Sequence, residues 1–290
     1  MDFKYDFVEI ASEILRKEGV TIPTEWNSRD ICINFFELTY RWFDSSIPYH
    51  VVYSQELLAK ISSLTDDEQN AIKNIEKCLN NCEKITQYMS RGIKNTEIEK
   101  SDFLLKNWGI YHLHLEELRP PIRKYTKPNL LFFQVKGNVV HFIDVRRHPK
   151  GSEWFTRELL EIIYKNWPNL LVFLNGIKPS QEIPDNQVHN LTKQINVIVD
   201  FHGGALAPSN FGVMSSGHSY MSVQKSIKII NNLEKYELEL KKREDEIKQA
   251  ILNSTRKKIS EKLDYKLIFE DDCFFAQEIH SKEAIKLFQI

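Results

Sequence analysis

Two short apolar runs separated by Gly137-Asn138 constrain the fold of this chain more than any other feature. Residues 130–136 and 139–145 are rich in aromatic and β-branched side chains, which favour strands. A Gly-Asn pair between two such runs is typical of a tight β-hairpin, because both residues tolerate a left-handed backbone. The pattern therefore predicts two neighbouring antiparallel strands.

The segments around this hairpin predict an α+β domain over residues 101–220. Short apolar runs predict further strands, and one amphipathic segment that Pro168 ends predicts a helix. We expect a central, mostly antiparallel sheet with this helix packed on it. The further strands are predicted over residues 108–115, 170–174 and 197–201, and the helix over residues 156–167.

Helical patterns flank this domain on both sides. Residues 1–100 carry apolar side chains at spacings of three and four, which predicts helices. Residues 222–255 predict one long helix, but Glu237 and Glu244 occupy heptad seam positions and disfavour a strict two-stranded coiled coil. Such a helix fits better against its own domain or a protein partner. A terminal hairpin over residues 263–275 completes three predicted regions, 1–100, 101–220 and 221–290.

Composition excludes several classes of protein. The 39 Lys and Arg residues balance 40 Asp and Glu residues, which argues against a chain that coats nucleic acid over its whole surface. No apolar run reaches the length of a membrane span, and the acidic first residues do not fit a signal peptide. Four cysteines in 290 residues do not make a disulfide framework. We therefore expect a reduced, cytoplasmic protein without membrane association, in which Cys82 fills the core of a helix over residues 66–89.

Positive charge is concentrated in residues 101–150. This segment holds nine Lys and Arg residues against four acids, and four of the nine histidines of the chain. Such charges are often only the solvated faces of strands and loops. A basic patch mixed with histidines and aromatic rings is also what RNA phosphates and bases require. The candidate nucleic-acid contacts are Arg119, Arg123, Lys124, Arg146 and Arg147.

A His-x-His pattern in the first predicted strand supplies the candidate chemistry. Side chains alternate along a strand, so His112 and His114 share one face at a separation of about 7 Å. They could act as base and acid, because histidine titrates near neutrality, or serve as metal ligands. Asp144, two strands along, could hold an imidazole in one tautomer or pair with Arg146. With His148 these residues form the candidate catalytic set.

Residues 106–150 resemble a known family at the level of pattern. A Trp-led strand ends in a basic loop, Leu118-Arg-Pro-Pro-Ile-Arg-Lys124, and is followed by the hairpin and by Arg146-Arg147-His148. This order resembles the central sheet of RelE-type toxins and the wider barnase-like group of metal-independent ribonucleases. The resemblance implies a small antiparallel sheet that presents basic side chains, histidine and tyrosine to RNA. It also implies attack of a 2′-hydroxyl on the adjacent phosphate, with side chains moving the protons.

A Gly- and Ser-rich stretch, residues 202–219, predicts a loop that could close over such a site. Gly203 and Gly204 would permit close approach to a phosphate, and Ser216 and His218 could donate hydrogen bonds. The same composition is ordinary for a solvated loop. The stretch matches neither the phosphate-loop pattern nor the dinucleotide-binding glycine pattern.

Three functional hypotheses follow from these patterns. The leading one is a toxin-like or defence-associated ribonuclease that needs no metal or other cofactor and uses the strand histidines with the basic patch. The second is a metal-dependent hydrolase or nuclease in which His112, His114, Asp144 and His148 bind Zn²⁺ or Mn²⁺. It requires the strands that carry these residues to be neighbours. The third is a non-enzymatic assembly module that binds nucleic acid through the sheet or a partner through the 222–255 helix.

Overall fold

The computed structural model describes residues 1–39, 47–90, 102–116, 128–179, 181–255 and 261–289. Over these residues the chain is α+β, with three sheets that are mostly antiparallel, which confirms the predicted fold class. Within the same ranges no helix has the length and apolar character needed to cross a membrane. The chain forms two compact units: a split unit of residues 1–40 and 222–290, and a continuous unit of residues 41–221.

The continuous unit is organised around a four-stranded sheet. Its strands are β1 (His50–Tyr53), β2 (Ile110–His114), β3 (Asn129–Lys136) and β4 (Val139–Arg147), in the spatial order β1-β4-β3-β2. The hairpin predicted at Gly137-Asn138 joins β3 to β4 and is confirmed, with Gly137 in the left-handed conformation that the turn requires. Strand β1 pairs parallel with β4 and closes one edge.

A bulge interrupts the pairing of β3 with β4. Phe133 faces Phe142, but the next pair is Phe132 with Asp144, so Ile143 is an extra residue. Because side chains alternate along a strand, this extra residue changes the face on which the rest of β4 is presented. Phe142 belongs to one apolar cluster, whereas Phe132, the neighbour of Asp144, belongs to the other. Asp144 therefore lies on the opposite face of the sheet from Phe142.

Helices cover both faces of this sheet. One face packs against α3 (Gln55–Ile61) and α4 (Asp66–Asn80), whose first turn is fixed by a capping box between Thr65 and Glu68. The other face packs against α5 (Phe103–Trp108) and α6 (Arg157–Asn166) around Trp108 and Phe155. Beside it lies a small sheet of β5 (Val172–Leu174), β6 (Val199–Phe201) and β7 (Gly204–Ala207), with α7 (Asp185–Leu191) between β5 and β6 along the chain.

The split unit has its own core of phenylalanines. Phe7 contacts Phe35, Phe36 and Phe274 at ring-centroid distances of 5.2–6.0 Å. These rings come from opposite ends of the chain, so the unit needs both to be present. Its elements are α1 (Phe3–Lys17), α2 (Ser28–Thr39), α8 (Tyr220–Lys242), α9 (Glu244–Thr255), β8 (Tyr265–Glu270), β9 (Cys273–Glu278) and β10 (Ala284–Gln289). The first two residues of α8, Tyr220 and Met221, belong to the continuous unit.

Several predicted boundaries differ from these elements. Residues 1–100 are not wholly helical, since they contain β1, and they contribute to both units rather than forming one region. Helix α4 ends at Asn80, before Cys82, whose φ of 59° is not helical. The hairpin predicted in the tail is confirmed as β8 and β9, and a third strand, β10, pairs with β9 beside it. The long helix divides at Arg243, where the acidic side chains of Glu244, Asp245 and Glu246 open a new first turn.

Candidate functional site

Strand β2 places two histidines on one face of the sheet. His112 lies opposite Phe132 and His114 lies opposite Leu130, and both partners belong to the apolar cluster under α5 and α6. His112 and His114 therefore lie on the same face of the sheet, as the alternation of side chains along a strand predicts. His112 is partly buried and His114 is buried, so neighbouring protein groups cover part of each imidazole.

The ring of Trp154 contacts both His112 and a third histidine, His148. Its ring centroid lies 4.9 Å from that of His112 and 5.1 Å from that of His148. His148 in turn lies 6.0 Å from His114, centroid to centroid. The backbone N–H of His148 donates to the carbonyl of Pro128, which holds the end of β4 beside the start of β3. We call His112, His114, His148 and Trp154 the histidine cluster.

Asp102 adds a carboxylate that sequence reasoning missed. Its Oδ2 lies 3.4 Å from Nδ1 of His112, while its Oδ1 accepts the N–H of Leu105 and caps α5. The negative charge of a carboxylate at this distance favours a proton on Nδ1. The available signal was helical: Asp102 is a good cap before Phe103, and Gly109 ends the helix in a left-handed conformation. A strand that begins at residue 108, as the apolar pattern predicts, leaves no helix for Asp102 to cap.

His114 is held in its neutral form. Burial, and to a smaller extent the neighbouring His112 and His148, together lower its pKa to about 4 against the opposing charge of Glu116. A neutral imidazole has one ring nitrogen that can accept a proton.

Asp144 has a different position from the one that an orienting carboxylate requires. It is only 3% exposed, and its Oδ1 accepts from Nζ of Lys60 at 2.6 Å and from the N–H of Val145 at 2.8 Å. Its Oδ2 accepts from Nε of Arg146 at 2.7 Å. Asp144 therefore pairs with Arg146, which is one of the two partners that the sequence suggested for it. We assign Asp144 to an ion-pair network. The carboxylate that lies beside a histidine is that of Asp102.

The order of the strands also argues against the alternative in which these residues bind a metal ion. Strand β3 lies between β2 and β4, so the strands that carry His112 and Asp144 are not neighbours. Among the residues that the structure describes, no three His, Cys, Asp or Glu side chains are grouped so that they could hold a metal ion. The four-ligand site predicted from sequence therefore has no counterpart within those residues.

The predicted phosphate contacts are placed only in part. Arg146 donates to Glu158 at 2.7 Å and to the hydroxyl of Thr156 at 3.2 Å, besides its pair with Asp144, so its guanidinium is committed to protein. Arg147 is exposed next to His148. Arg119, Arg123 and Lys124 lie outside the described residues.

The predicted loop candidates have structural roles. Gly203 follows His202 in a tight turn between β6 and β7, and both have positive φ. Gly204 opens β7, where a Cβ would lie 3.1 Å from the ring of Phe173. Ser216 and His218 contact each other at 3.1 Å in a second turn. The stretch predicted as one loop thus contains β7 and two separate turns. Its Gly and Ser residues form these turns rather than a flexible lid.

Comparisons with family models, with curated proteins and with solved structures found no match.

Proposed function

We propose that this chain is a ribonuclease that works without a metal ion, with the histidine cluster as its site. One observation carries the proposal: a neutral imidazole, His114, stands beside a second imidazole, His112, that faces the carboxylate of Asp102. The two histidines have different environments on one sheet face. Such a difference is what separates a base from an acid at neutral pH.

The reaction needs two proton transfers. His114 accepts the proton of a ribose 2′-hydroxyl as the oxygen attacks the adjacent phosphorus. The bond from phosphorus to the 5′-oxygen of the next nucleotide breaks, and His112, protonated beside Asp102, gives its proton to that oxygen. Their separation of about 7 Å along the strand leaves room for a phosphate between them. The proton gained by His114 and the proton lost by His112 balance.

Positive charge supports the same proposal. Arg147 is exposed at the end of β4, next to His148 of the cluster. The segment between Glu116 and Pro128, which carries Arg119, Arg123 and Lys124, keeps its predicted role in holding phosphate. The resemblance of residues 106–150 to RelE-type and barnase-like ribonucleases implies the same chemistry.

Cleavage of total RNA by purified protein tests the proposal, with and without EDTA. We expect His114→Gln and His112→Gln each to slow cleavage by about a hundredfold or more, with EDTA making no difference. His141→Gln is the matched control, because His141 is also a buried sheet histidine with a lowered pKa and a tryptophan neighbour. It should cleave at the rate of the unaltered chain.

Three results would contradict this proposal. Cleavage that EDTA abolishes and Zn²⁺ or Mn²⁺ restores would favour the metal-dependent alternative. An equal loss in the His141 and His114 variants would assign the effect to the stability of the sheet. Absence of cleavage by the unaltered chain would favour a binding module.

A further inference from the structure

Phe211 is shown to solvent in a backbone conformation that its side chain disfavours. The residue is 60% exposed and has a φ of 59°, in the left-handed region. A bulky residue in this region is a true outlier, and glycine or asparagine would be accommodated with less strain. Neither burial nor backbone geometry therefore explains a phenylalanine at this position.

Hydrogen bonds hold the conformation on both sides. The amide of Asn196 donates to the carbonyl of Phe211 at 3.2 Å and accepts from the N–H of Val213 at 2.8 Å. The N–H of Asn210 donates to the carbonyl of Asn107 at 3.1 Å. Gly212 permits this close packing, since a Cβ there would lie 1.9 Å from the Asn196 side chain. The surrounding structure fixes the strained residue, as is common where strain serves a site.

A second ring extends the exposed surface. The half-buried ring of Tyr220 lies 5.1 Å from that of Phe211, centroid to centroid, at 46°. Met214 is also exposed in the same stretch of chain. An exposed ring braced by a second ring is a surface on which a nucleobase can stack.

The short helix α5 connects this surface to the histidine cluster. At its start Asp102 faces His112. Further along it, the carbonyl of Leu105 accepts from the side-chain amide of Asn210, and Nζ of Lys106 donates to the carbonyl of Gly217 at 3.2 Å. From Asp102 to Asn107 a helix rises only about 8 Å. Phe211 and the cluster are therefore supported by the same few residues.

We propose that Phe211, braced by Tyr220, stacks on a base of single-stranded RNA and holds a nucleotide near the one cleaved at the histidine cluster. This inference rests on the proposed function for its substrate class. Stacking of a base on an aromatic side chain tolerates any sequence, because every base has a π-face. The role of Phe211 is thus to hold the strand rather than to read it.

Fluorescence anisotropy of a labelled 12-nucleotide oligoadenylate tests this inference on the full chain carrying His114→Gln, so that cleavage does not consume the probe. We expect Phe211→Leu and Phe211→Gly to raise the Kd about tenfold, while Phe211→Trp leaves it unchanged. Phe211→Gly should also raise the melting temperature, which separates lost stacking from lost structure. Ile195→Ala, another exposed apolar position, is the control and should bind normally.

The outcomes separate this inference from the proposed function. Normal binding by Phe211→Leu and Phe211→Gly, together with histidine-dependent cleavage, would overturn the stacking role and leave the ribonuclease standing. Phe211-dependent binding in a chain that never cleaves RNA would support the stacking surface and remove the ribonuclease. A His114→Gln chain that keeps Phe211 and does not bind the oligonucleotide would overturn the stacking role, while the cleavage of total RNA decides the ribonuclease separately.

Discussion

Two histidine–tryptophan contacts lie on the same face of the sheet, and they differ in what surrounds them. His112 lies 4.9 Å from Trp154, and His141 lies 4.9 Å from Trp167. Both tryptophans pack against the same apolar cluster. Within the part of the chain that the structure describes, only the first pair has a carboxylate and two further imidazoles as neighbours. Burial lowers the pKa of His114 and of His141 alike, so the perturbed pKa does not identify the site; the partners do.

The largest expected effect tests whether Asp144 belongs to the site or to the framework. Asp144→Ala should lower the free energy of unfolding by about 3 kcal/mol, because it leaves Lys60 and Arg146 without their buried counterion. This is the lower end of the range for such losses, since Lys60 stays 39% exposed. Urea denaturation measures the change.

Glu158→Ala is the control for that measurement. Glu158 also pairs with Arg146 but is 78% exposed, so its loss should cost less than 1 kcal/mol. An Asp144→Ala variant that unfolds like the unaltered chain, yet loses RNA cleavage, would return Asp144 to the catalytic set.

The pH dependence of stability is the next largest effect. His114 has a folded pKa of about 4 against about 6.5 when unfolded, so between these values the unfolded chain binds more protons. Stability contributed by neutral His114 is therefore complete above pH 6.5 and is lost as the pH falls toward 4, by about 3 kcal/mol in all. Urea denaturation at pH 7 and pH 4.5 should show a smaller difference for His114→Gln. An unchanged difference would mean that His114 is protonated in the folded chain.

Asp102→Asn sharpens the comparison at the level of activity. Asparagine also caps helices well, so α5 should remain stable while the charge facing His112 is removed. We expect kcat/KM for RNA cleavage to fall about tenfold, the size expected for one charge-assisted contact. A thermal melt checks that the fold is intact. Cleavage that is unaffected at every pH would separate Asp102 from the function of His112.

The smallest expected effect is a gain. Phe211→Gly should raise the free energy of unfolding by about 1 kcal/mol, because glycine adopts the left-handed conformation without strain. Asp272→Gly, at another left-handed position, should gain less, since aspartate tolerates this region better. Chemical denaturation of both variants compares them directly. A loss of stability in Phe211→Gly would show that the ring contributes more through packing on Tyr220 than it costs.

Local sequence signals predicted part of this structure. The Gly137-Asn138 turn, the helix before Pro168 and the shared face of His112 and His114 all depend on residues close together in the chain. The bulge at Ile143 has no such local signature, and it decides the face of Asp144. The protein partner predicted for the 222–255 helix and the cytoplasmic location stay predictions.

The remainder of the site depends on contacts between distant segments. Trp154 reaches His112 only because α6 folds back over the sheet, and Asp102 reaches it only because a short helix precedes β2. Neither of these tertiary contacts is indicated by a periodic pattern in the sequence. Strand β1 likewise pairs with β4 although the two strands are far apart in the chain. The residues around β1 have mostly helical patterns, so the sequence did not indicate this strand.

The order of the two units along the chain has a consequence for synthesis. The continuous unit is complete once residue 221 has been made, so it can fold while the ribosome is still translating the rest. Phe7 and Phe35 must wait for Phe274, which at 5–20 residues per second is a delay of roughly 10–50 s. During that interval Phe7 and Phe35 can contact each other and Phe36, but they lack Phe274 and the strands that complete their core. We therefore expect the split unit, rather than the unit with the candidate site, to set the demand for chaperones.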